Sequence, residues 1–411
     1  MVVRNADVKG YTVPALEGLR VLDLSNDTAG ACCAKLLSGL GADVVKIESP
    51  SGDPLRHQGL FPNDAPDPDA SAPFLHFNTG KRGVTLDIET ATGQRLFSEL
   101  AQTADVVIET FQPGYLDRLE IGYTALSASH PEIVMVSITP FGQEGPYSMY
   151  SANELVLYAM SGYMSVSGEP DREPHKAHGE QLATHAGYQA ALACLVAVTN
   201  RDLRGNGQHV DVAQVEAGAF LCSSTSPNAF RPTQKAPRRN GARLMARAAE
   251  FQYPSTLRPC KDGWVHVHAN TRHPELLSEL MDSPRLRDPE VLATPTGHAD
   301  EIDAIMDEWL SHHDKYEVVR RAQSMHLHFT EVLTPQEVLD DEAHKVRDYW
   351  FTYEHPSAGT ITQPGPLVRM SATPWVSSAA PALGEHNIDV FCDELGYGRE
   401  ELQKFKDDHI V

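Results

Sequence analysis

Short apolar blocks alternate with helical patterns through the first third of the chain. Leu19–Ser25 (LRVLDLS) is a branched apolar run that predicts a strand, and Asp43–Ser49 (DVVKIES) predicts the next one. Between them a turn with a glycine leads into ACCAKLLSGLGA, whose apolar residues have helical spacing. Strand, helix and strand within about thirty residues form a βαβ unit, which joins parallel strands.

The same pattern repeats further along the chain. Val84–Glu89, Asp105–Phe111 and Glu132–Thr139 predict strands, and TATGQRLFSELAQTA and YTALSASH predict the helices that separate them. We therefore predict an α/β fold with a doubly wound, Rossmann-like parallel sheet.

A different organisation follows this sheet pattern. An Ala-rich helix is predicted near Thr184–Leu203, and GNGQHVDVAQVEA predicts a turn, a strand and a further helix. The basic segment RPTQKAPRRNGARLMARAAE predicts an exposed or interface-forming loop, and Tyr253–Ala269 predicts an antiparallel hairpin. Mixed helical segments run to about Arg321, and the Pro/Gly-rich tail Pro364–Gly384 predicts few regular elements.

The composition is that of a globular protein with an acidic surface. The 411 residues are 41% hydrophobic and 22% charged, with a formal net charge of −22. This charge repels nucleic acids and anionic membranes, so we expect neither as a partner. The N-terminal residues lack the apolar core of a secretory signal, and no run approaches the roughly 18–20 apolar residues of a spanning helix. Six cysteines without metal-binding spacing predict buried thiols in a reducing cytoplasm.

Six segments in the same order resemble one enzyme family. They are VLDLSNDTAGACCAKLLSGLGADVVKIESPSGDPLR, FNTGKRGVTLD, ADVVIETFQPGYLDRLEIGY, SITPFGQEGPY, YPSTLRPCKDGWVHV and APALGEHN. Together they are similar to the class III CoA-transferases (the CaiB/BaiF family). Relatives in that family include formyl-CoA transferase, carnitine-type CoA-transferases and α-methylacyl-CoA racemase.

The resemblance implies a domain arrangement. Both chain ends are expected to build a large Rossmann-like domain, with a smaller α+β domain inserted between them. The expected limits are 1–222 for the first part of the large domain, 223–333 for the linker and small domain, and 334–411 for the return. Two chains of the family interlock like links, so we expect either a homodimer or a heterodimer with a homologous chain.

The resemblance also implies a covalent mechanism, and one residue of this chain departs from it. In the family an Asp carboxylate attacks an acyl-CoA thioester and forms a mixed anhydride, and a second acid then collects the CoA. That Asp stands four residues before the Gly that opens the Ala-rich helix, and counting back from Gly187 leads to Ala183. A methyl group cannot act as this nucleophile.

Two nearby residues are candidates to replace the missing acid. Glu180 lies three residues earlier, about one helical turn, and His185 follows as a possible base or oxyanion donor. The structural alternatives are a solvated residue before the helix for Glu180 and an ordinary helix-terminus contact for His185.

Coenzyme A is the expected substrate carrier, and no metal is expected. Arg118 matches the family Arg that contacts CoA, Phe111 matches an aromatic residue beside the cofactor path, and Lys81 and Arg82 are phosphate candidates. Surface placement, core packing and a solvated turn are the respective alternatives. Thr110 replaces a family Asn. The full set of predicted CoA-binding residues is Thr28, Ala29, Lys81, Arg82, Thr110, Phe111, Arg118 and Thr139.

Three functions remain open from the sequence. The first is a CoA-transferase, or a CoA-transferase subunit, that moves CoA between an acyl-CoA thioester and a carboxylic acid, with a partner chain supplying the Asp. The second is an acyl-CoA isomerase or lyase that uses other groups. The third is a non-catalytic subunit that binds CoA thioesters.

Overall fold

A computed structural model describes residues 3–4, 13–222, 239, 241–243, 253–269 and 273–411. The chain divides into two compact units. The large unit comprises Met1–Ser161, Ala177–Phe220 and Val346–Val411, and the small unit comprises Gly162–Lys176 and Leu221–Lys345. The domain limits expected from the family stay a prediction beside this division. The predicted basic loop lies almost entirely outside the described residues.

The described strands, in chain order, are β1 (Val3–Arg4), β2 (Arg20–Asp23), β3 (Asp43–Glu48), β4 (Arg82–Thr85), β5 (Val106–Glu109), β6 (Val134–Thr139), β7 (His209–Ala213), β8 (Ser255–Cys260), β9 (Gly263–His268), β10 (Thr330–Glu331), β11 (Trp350–His355), β12 (Gly359–Pro364) and β13 (Val376–Ser377). The described α-helices are α1 (Thr28–Gly39), α2 (Ala72–Phe77), α3 (Ala91–Ala101), α4 (Tyr115–Arg118), α5 (Tyr123–Ser129), α6 (Glu154–Met160), α7 (Gln181–Arg204), α8 (Gln214–Cys222), α9 (Pro274–Leu280), α10 (Pro289–Ala293), α11 (Ala299–Leu310), α12 (Lys315–Ser324), α13 (Pro335–Asp340), α14 (Glu342–Val346) and α15 (Arg399–Asp407).

A parallel sheet with the order β4-β3-β2-β5-β6-β7 forms the centre of the large unit. All residues of β5 and β6 are buried, because helices cover both faces of the sheet. The chain runs outward from β2 to β4, then returns to β5 and runs the other way. The predicted doubly wound α/β fold is therefore confirmed, and the direction of winding reverses between β2 and β5.

Helices α1 and α7 cross the sheet side by side at close range. A Cβ atom at Gly187 would lie 2.6 Å from the carbonyl oxygen of Ala29 and 2.7 Å from Cβ of Cys32. Only glycine permits this approach, and buried alanines on both helices extend it. The contact brings the first turn of α7 to the first turn of α1.

The C-terminal segment holds the edge strand β4 of the parallel sheet in place. Asn387 accepts a hydrogen bond from the backbone N–H of Thr85 (2.9 Å) and donates one to the Thr85 hydroxyl (2.8 Å). Gly83 donates its N–H to Nδ1 of His386 (3.1 Å). The APALGEHN motif thus has a structural role, since it holds the edge strand in place.

The small unit contains an antiparallel sheet with the order β10-β9-β8. Strands β8 and β9 form the hairpin predicted over Tyr253–Ala269. Helices α9 to α12 pack on this sheet through an apolar core that includes Val265, Met306 and Phe329.

Helix α7 is long and apolar enough to cross a membrane by length and composition, unlike any other helix of the described residues. Half of its most apolar window is buried inside the protein, where it packs on α1. The six cysteines are all free thiols.

Candidate functional site

A cavity of about 580 Å³ opens at the carboxyl ends of the strands at the reversal point, between β2 and β5. We call it the sheet-edge cavity. In doubly wound folds ligands bind in this place, because the strand ends and the following helix N-termini face one crevice. Its lining consists of the last residues of β3 and residues that follow β2, β3, β4 and β5: Leu24, Ser25, Asn26, Ile47, Glu48, Ser49, Pro50, Ser51, Gly52, Asp53, Pro54, Leu86, Asp87, Ile88, Glu89, Phe111 and Tyr115, with His409 from the C-terminus.

Side chains from distant parts of the sequence hold the turn from β2 into α1 in place. Asp27 caps α1 by accepting the N–H of Gly30 (3.0 Å) and also accepts from the Gln214 side-chain amide (3.0 Å). Thr110 accepts the N–H of Asn26 (2.9 Å) and donates to the Asn26 side chain (2.8 Å). Burial raises the pKa of Asp27 to about 6. The predicted site residue Thr110 thus ties the end of β5 to this turn.

The segment after β5 presents two stacked aromatic rings to the sheet-edge cavity. The rings of Phe111 and Tyr115 are 4.7 Å apart, and the Arg118 guanidinium lies 5.6 Å from the Tyr115 ring centre. Phe111 donates its N–H to the Glu109 carboxyl (2.7 Å), and burial raises the pKa of Glu109 to about 7. An aromatic platform with an adjacent exposed cation is suited to an adenine ring and a phosphate.

Lys81 and Arg82 lie in ion pairs. Lys81 is buried, and its ammonium donates to Asp23 (2.8 Å) and to the Asn78 side chain (2.8 Å). Arg82 pairs with Asp43 (2.6 Å) and contacts Glu394 near the surface. Their assignment to CoA phosphates stays a prediction, and the burial of Lys81 weighs against it.

The other predicted residues lie deeper. Thr139 is fully buried at the end of β6, and its hydroxyl has no hydrogen-bond partner among the described residues. Ala29 is fully buried in the contact between α1 and α7. Neither side chain lines the sheet-edge cavity.

A second cavity of about 620 Å³ extends along the groove between α1 and α7. We call it the α1–α7 cavity. Thr28 and Glu180 meet at one end of the groove, where the Thr28 hydroxyl donates to the Glu180 carboxylate. The structure therefore brings together two predicted site residues that are 152 positions apart in the chain. His185 lies on α7 against Tyr188, with ring centres 6.4 Å apart, and does not line this cavity.

Ala183 lies in the first turn of α7 with its methyl group buried against α1. Its side chain is 7% exposed. The Glu154 carboxylate accepts the backbone N–H groups of Leu182 (2.7 Å) and Ala183 (3.3 Å). Glu154 lies on α6 and is not among the predicted site residues, because no local sequence motif marks it. A carboxylate thus lies at the backbone of the position where the resemblance places the family's Asp, but from another helix.

Further polar groups of the α1–α7 cavity were also missed. Lys35 and His76 lie in its lining, on α1 and α2. Burial lowers the pKa of Lys35 to about 8 and that of His76 to about 4. Among the described residues, no group of three or more His, Cys, Asp or Glu side chains is arranged to hold a metal ion.

Comparison with known proteins gives consistent results over nearly the whole chain. The profile of CoA-transferase family III matches residues 16–387. A formyl-CoA:oxalate CoA-transferase of Streptomyces coelicolor is 32% identical, with 97% of this chain and 100% of the relative covered. Subunit BbsE of the succinyl-CoA:(R)-benzylsuccinate CoA-transferase of Thauera aromatica is 30% identical, with 93% and 95% covered.

A solved structure has the same architecture. The crystal structure of a CaiB/BaiF family protein from Brucella suis matches with a TM-score of 0.83 at 27% sequence identity, covering 93% of this chain and 100% of that one. The order of the motifs, the fold and the full-length matches agree. The chain belongs to CoA-transferase family III.

Proposed function

We propose that this chain is a CoA-transferase subunit that moves CoA between an acyl-CoA thioester and a carboxylic acid. A homologous partner chain supplies the nucleophilic Asp. The observation that carries the proposal is the buried methyl group of Ala183 in a chain that otherwise matches the family over nearly its full length. The six free thiols favour a reducing compartment, so the enzyme is proposed to act in the cytoplasm.

The sheet-edge cavity supports CoA binding. Its floor is made by backbone turns after parallel strands, and Phe111 and Tyr115 form one wall. Arg118, beside Tyr115, is exposed and available to a phosphate group. Thr28 and Ala29 open α1, but the Asp27 carboxylate caps this helix by accepting the N–H of Gly30 (3.0 Å), so their assignment to CoA stays a prediction.

A partner chain is supported by the outer face of α7. Leu192, Val196 and Leu203 form a stripe at helical spacing and are 67%, 61% and 76% exposed. Large apolar side chains exposed along one helix face mark a protein–protein interface. The BbsE relative is itself named as a subunit, which agrees with an assembly of unlike chains.

A second candidate is catalysis by this chain's own carboxylate. The Glu180 side chain lines the α1–α7 cavity and accepts a hydrogen bond from Thr28, which holds it in the groove beside α7. In this scheme Glu180 acts as the nucleophile or base on an acyl-CoA, and a homodimer suffices.

Co-purification from the native host, followed by native mass spectrometry, distinguishes the two candidates. The proposal expects a stoichiometric homologous chain with Asp at the position equivalent to Ala183, and CoA transfer from succinyl-CoA only by the complex. Full turnover by the isolated chain would exclude the partner. In that case Glu180→Gln, with the exposed Glu400→Gln as matched control, tests whether Glu180 is the catalytic group.

A further inference from the structure

The α1–α7 cavity has one face of α1 as a wall. Thr28, Cys32, Lys35 and Leu36 line it at positions i, i+4, i+7 and i+8, which place them on one side of the helix. Lys35 follows Thr28 by two helical turns, about 10 Å along the axis. The cavity therefore extends from the beginning of α7 toward a lysine.

Lys35, which is half-buried, differs from the two fully buried lysines of the large unit. The Lys46 ammonium lies 2.5 Å from Asp53, and that of Lys81 lies 2.8 Å from Asp23. The Lys35 ammonium donates to the carbonyl oxygen of His76 (2.6 Å), and no carboxylate of the described residues forms an ion pair with it. A partly buried ammonium without a counter-charge is unfavourable, so its surroundings favour binding of an anion.

The neighbouring groups do not supply this anion. His76, whose Nδ1 is 3.5 Å from the Lys35 ammonium, is held neutral near pH 7 because burial lowers its pKa to about 4. Burial also raises the pKa of the Cys32 thiol to about 11, so it too is neutral. The Glu180 carboxylate lines the same cavity, but it accepts a hydrogen bond from Thr28, about two helical turns from Lys35. A negative charge beside Lys35 is therefore left to a molecule in the cavity.

The other walls are mostly apolar and aromatic. They include Phe77, Tyr188, Tyr349 and Trp375. A volume of about 620 Å³ is in the range of sites that enclose drug-sized ligands. A two-carbon acid would leave most of this apolar surface in contact with water, whereas a ring-sized apolar group would displace that water.

We propose that Lys35 binds a carboxylate of the acid substrate, and that this acid carries an apolar, ring-sized body against Phe77, Tyr188 and Trp375. This inference rests on the proposed function, because it assigns the acid-binding side of the same enzyme. Lys35 is then a specificity-determining residue, while the sheet-edge cavity holds CoA.

Calorimetry on the full chain without CoA tests this inference. The probes are 3-phenylpropanoate, its neutral amide 3-phenylpropanamide, and oxalate. We expect 3-phenylpropanoate to bind best, and its amide to bind about tenfold to a hundredfold more weakly, which is the usual contribution of a charge-assisted hydrogen bond. Lys35→Met should remove the preference for the acid over the amide, and Lys35→Arg should retain it. Lys404→Met, on the exposed face of α15, is the matched control and should leave all affinities unchanged.

Several outcomes would overturn the inference. They are equal binding of acid and amide to the wild type, unchanged acid binding by folded Lys35→Met, or tighter binding of oxalate than of 3-phenylpropanoate. Circular dichroism checks folding, and Lys35→Gln serves as a second neutral variant. CoA affinity is measured on the same samples. If the wild type binds 3-phenylpropanoate but not CoA, the proposed function is contradicted. If the wild type binds CoA but not 3-phenylpropanoate, this inference is contradicted.

Discussion

Lys46 is the central cation of a buried charge cluster beneath the β2–α1 turn. Its ammonium lies 2.5 Å from Asp53 and 4.0 Å from Asp23, and it also donates to the carbonyl oxygen of Ser25. Burial opposes its charge, but the carboxylates outweigh burial and raise the pKa of Lys46. Lys46→Met retains the apolar stem and removes the charge, so it leaves Asp53 buried without its cation.

The expected loss follows from this burial. Removing one partner of a buried ion pair costs about 3–5 kcal/mol, because the remaining charge is uncompensated. Arg82 is the matched comparison, since it also contacts two carboxylates, Asp43 and Glu394, but its side chain is 24% exposed. Exposed pairs contribute about 0–1 kcal/mol each, so Arg82→Met should cost about 1 kcal/mol.

Urea denaturation measures both variants. At an m-value of about 3 kcal/mol/M, Lys46→Met should lower the midpoint by about 1 M or more, and Arg82→Met by about 0.3 M. The double variant Lys46→Met/Asp53→Asn should regain part of the loss, because it removes the unpaired charge as well. Equal midpoint shifts for Lys46→Met and Arg82→Met would refute the reasoning, as would a double variant that is as unstable as the sum of the single ones.

Further predictions concern pH, CoA binding and the missing acid. Burial raises the pKa of Glu109 from 4.5 to about 7, so between these pH values the folded protein retains a proton that the unfolded chain releases. The stability of the fold should therefore fall as pH rises through this interval. Glu109→Gln should flatten that fall in thermal melts. An unchanged slope in the variant would contradict this assignment. Phe111→Ala should weaken CoA binding about fivefold to a hundredfold, because it removes the stacking contact. Trp264→Ala, at an exposed position of the small unit, is the control and should leave CoA binding unchanged. Equal dissociation constants of the two variants for CoA would exclude the aromatic platform. Ala183→Asp should let the isolated chain form an aspartyl anhydride or CoA thioester with an acyl-CoA, at residue 183. Hydroxylamine would then convert this side chain to a hydroxamate, and borohydride would reduce it to an alcohol, each seen by mass spectrometry of the peptide that contains residue 183. A folded variant without either product would place the nucleophile elsewhere.

The sheet could be predicted from sequence because its strands are buried on both faces and appear as continuous apolar runs. The limits at β4 were less accurate. The expected strand Val84–Glu89 is Arg82–Thr85 in the structure. Leu86 and Ile88 keep the alternating burial of a strand, but their segment leaves the sheet and lines the sheet-edge cavity.

The chemistry of the site was harder to predict, because its contacts join distant parts of the chain. Lys81 pairs with Asp23 across 58 positions, so a sequence motif that is typical of phosphate contacts lies in a buried ion pair. Lys35 has no local signal, since its burial depends on α2 and on the segment after β12. Glu180 was found by its position before α7, but its contact with Thr28 required the packing of α1 on α7.

The charged groups of the large unit favour a protein that still binds its ligands over one that has only lost its function. Lys35 lines the α1–α7 cavity with a pKa lowered by burial and without an ion pair among the described residues. An apolar replacement of Lys35 would remove this uncompensated charge, so the group is costly unless a ligand meets it. Ala183 lies on α7, in the apolar cluster that α7 shares with α1. Its methyl group removes the covalent step and lines neither cavity. The proposed subunit, which binds both substrates and takes its nucleophile from a partner, would account for this combination.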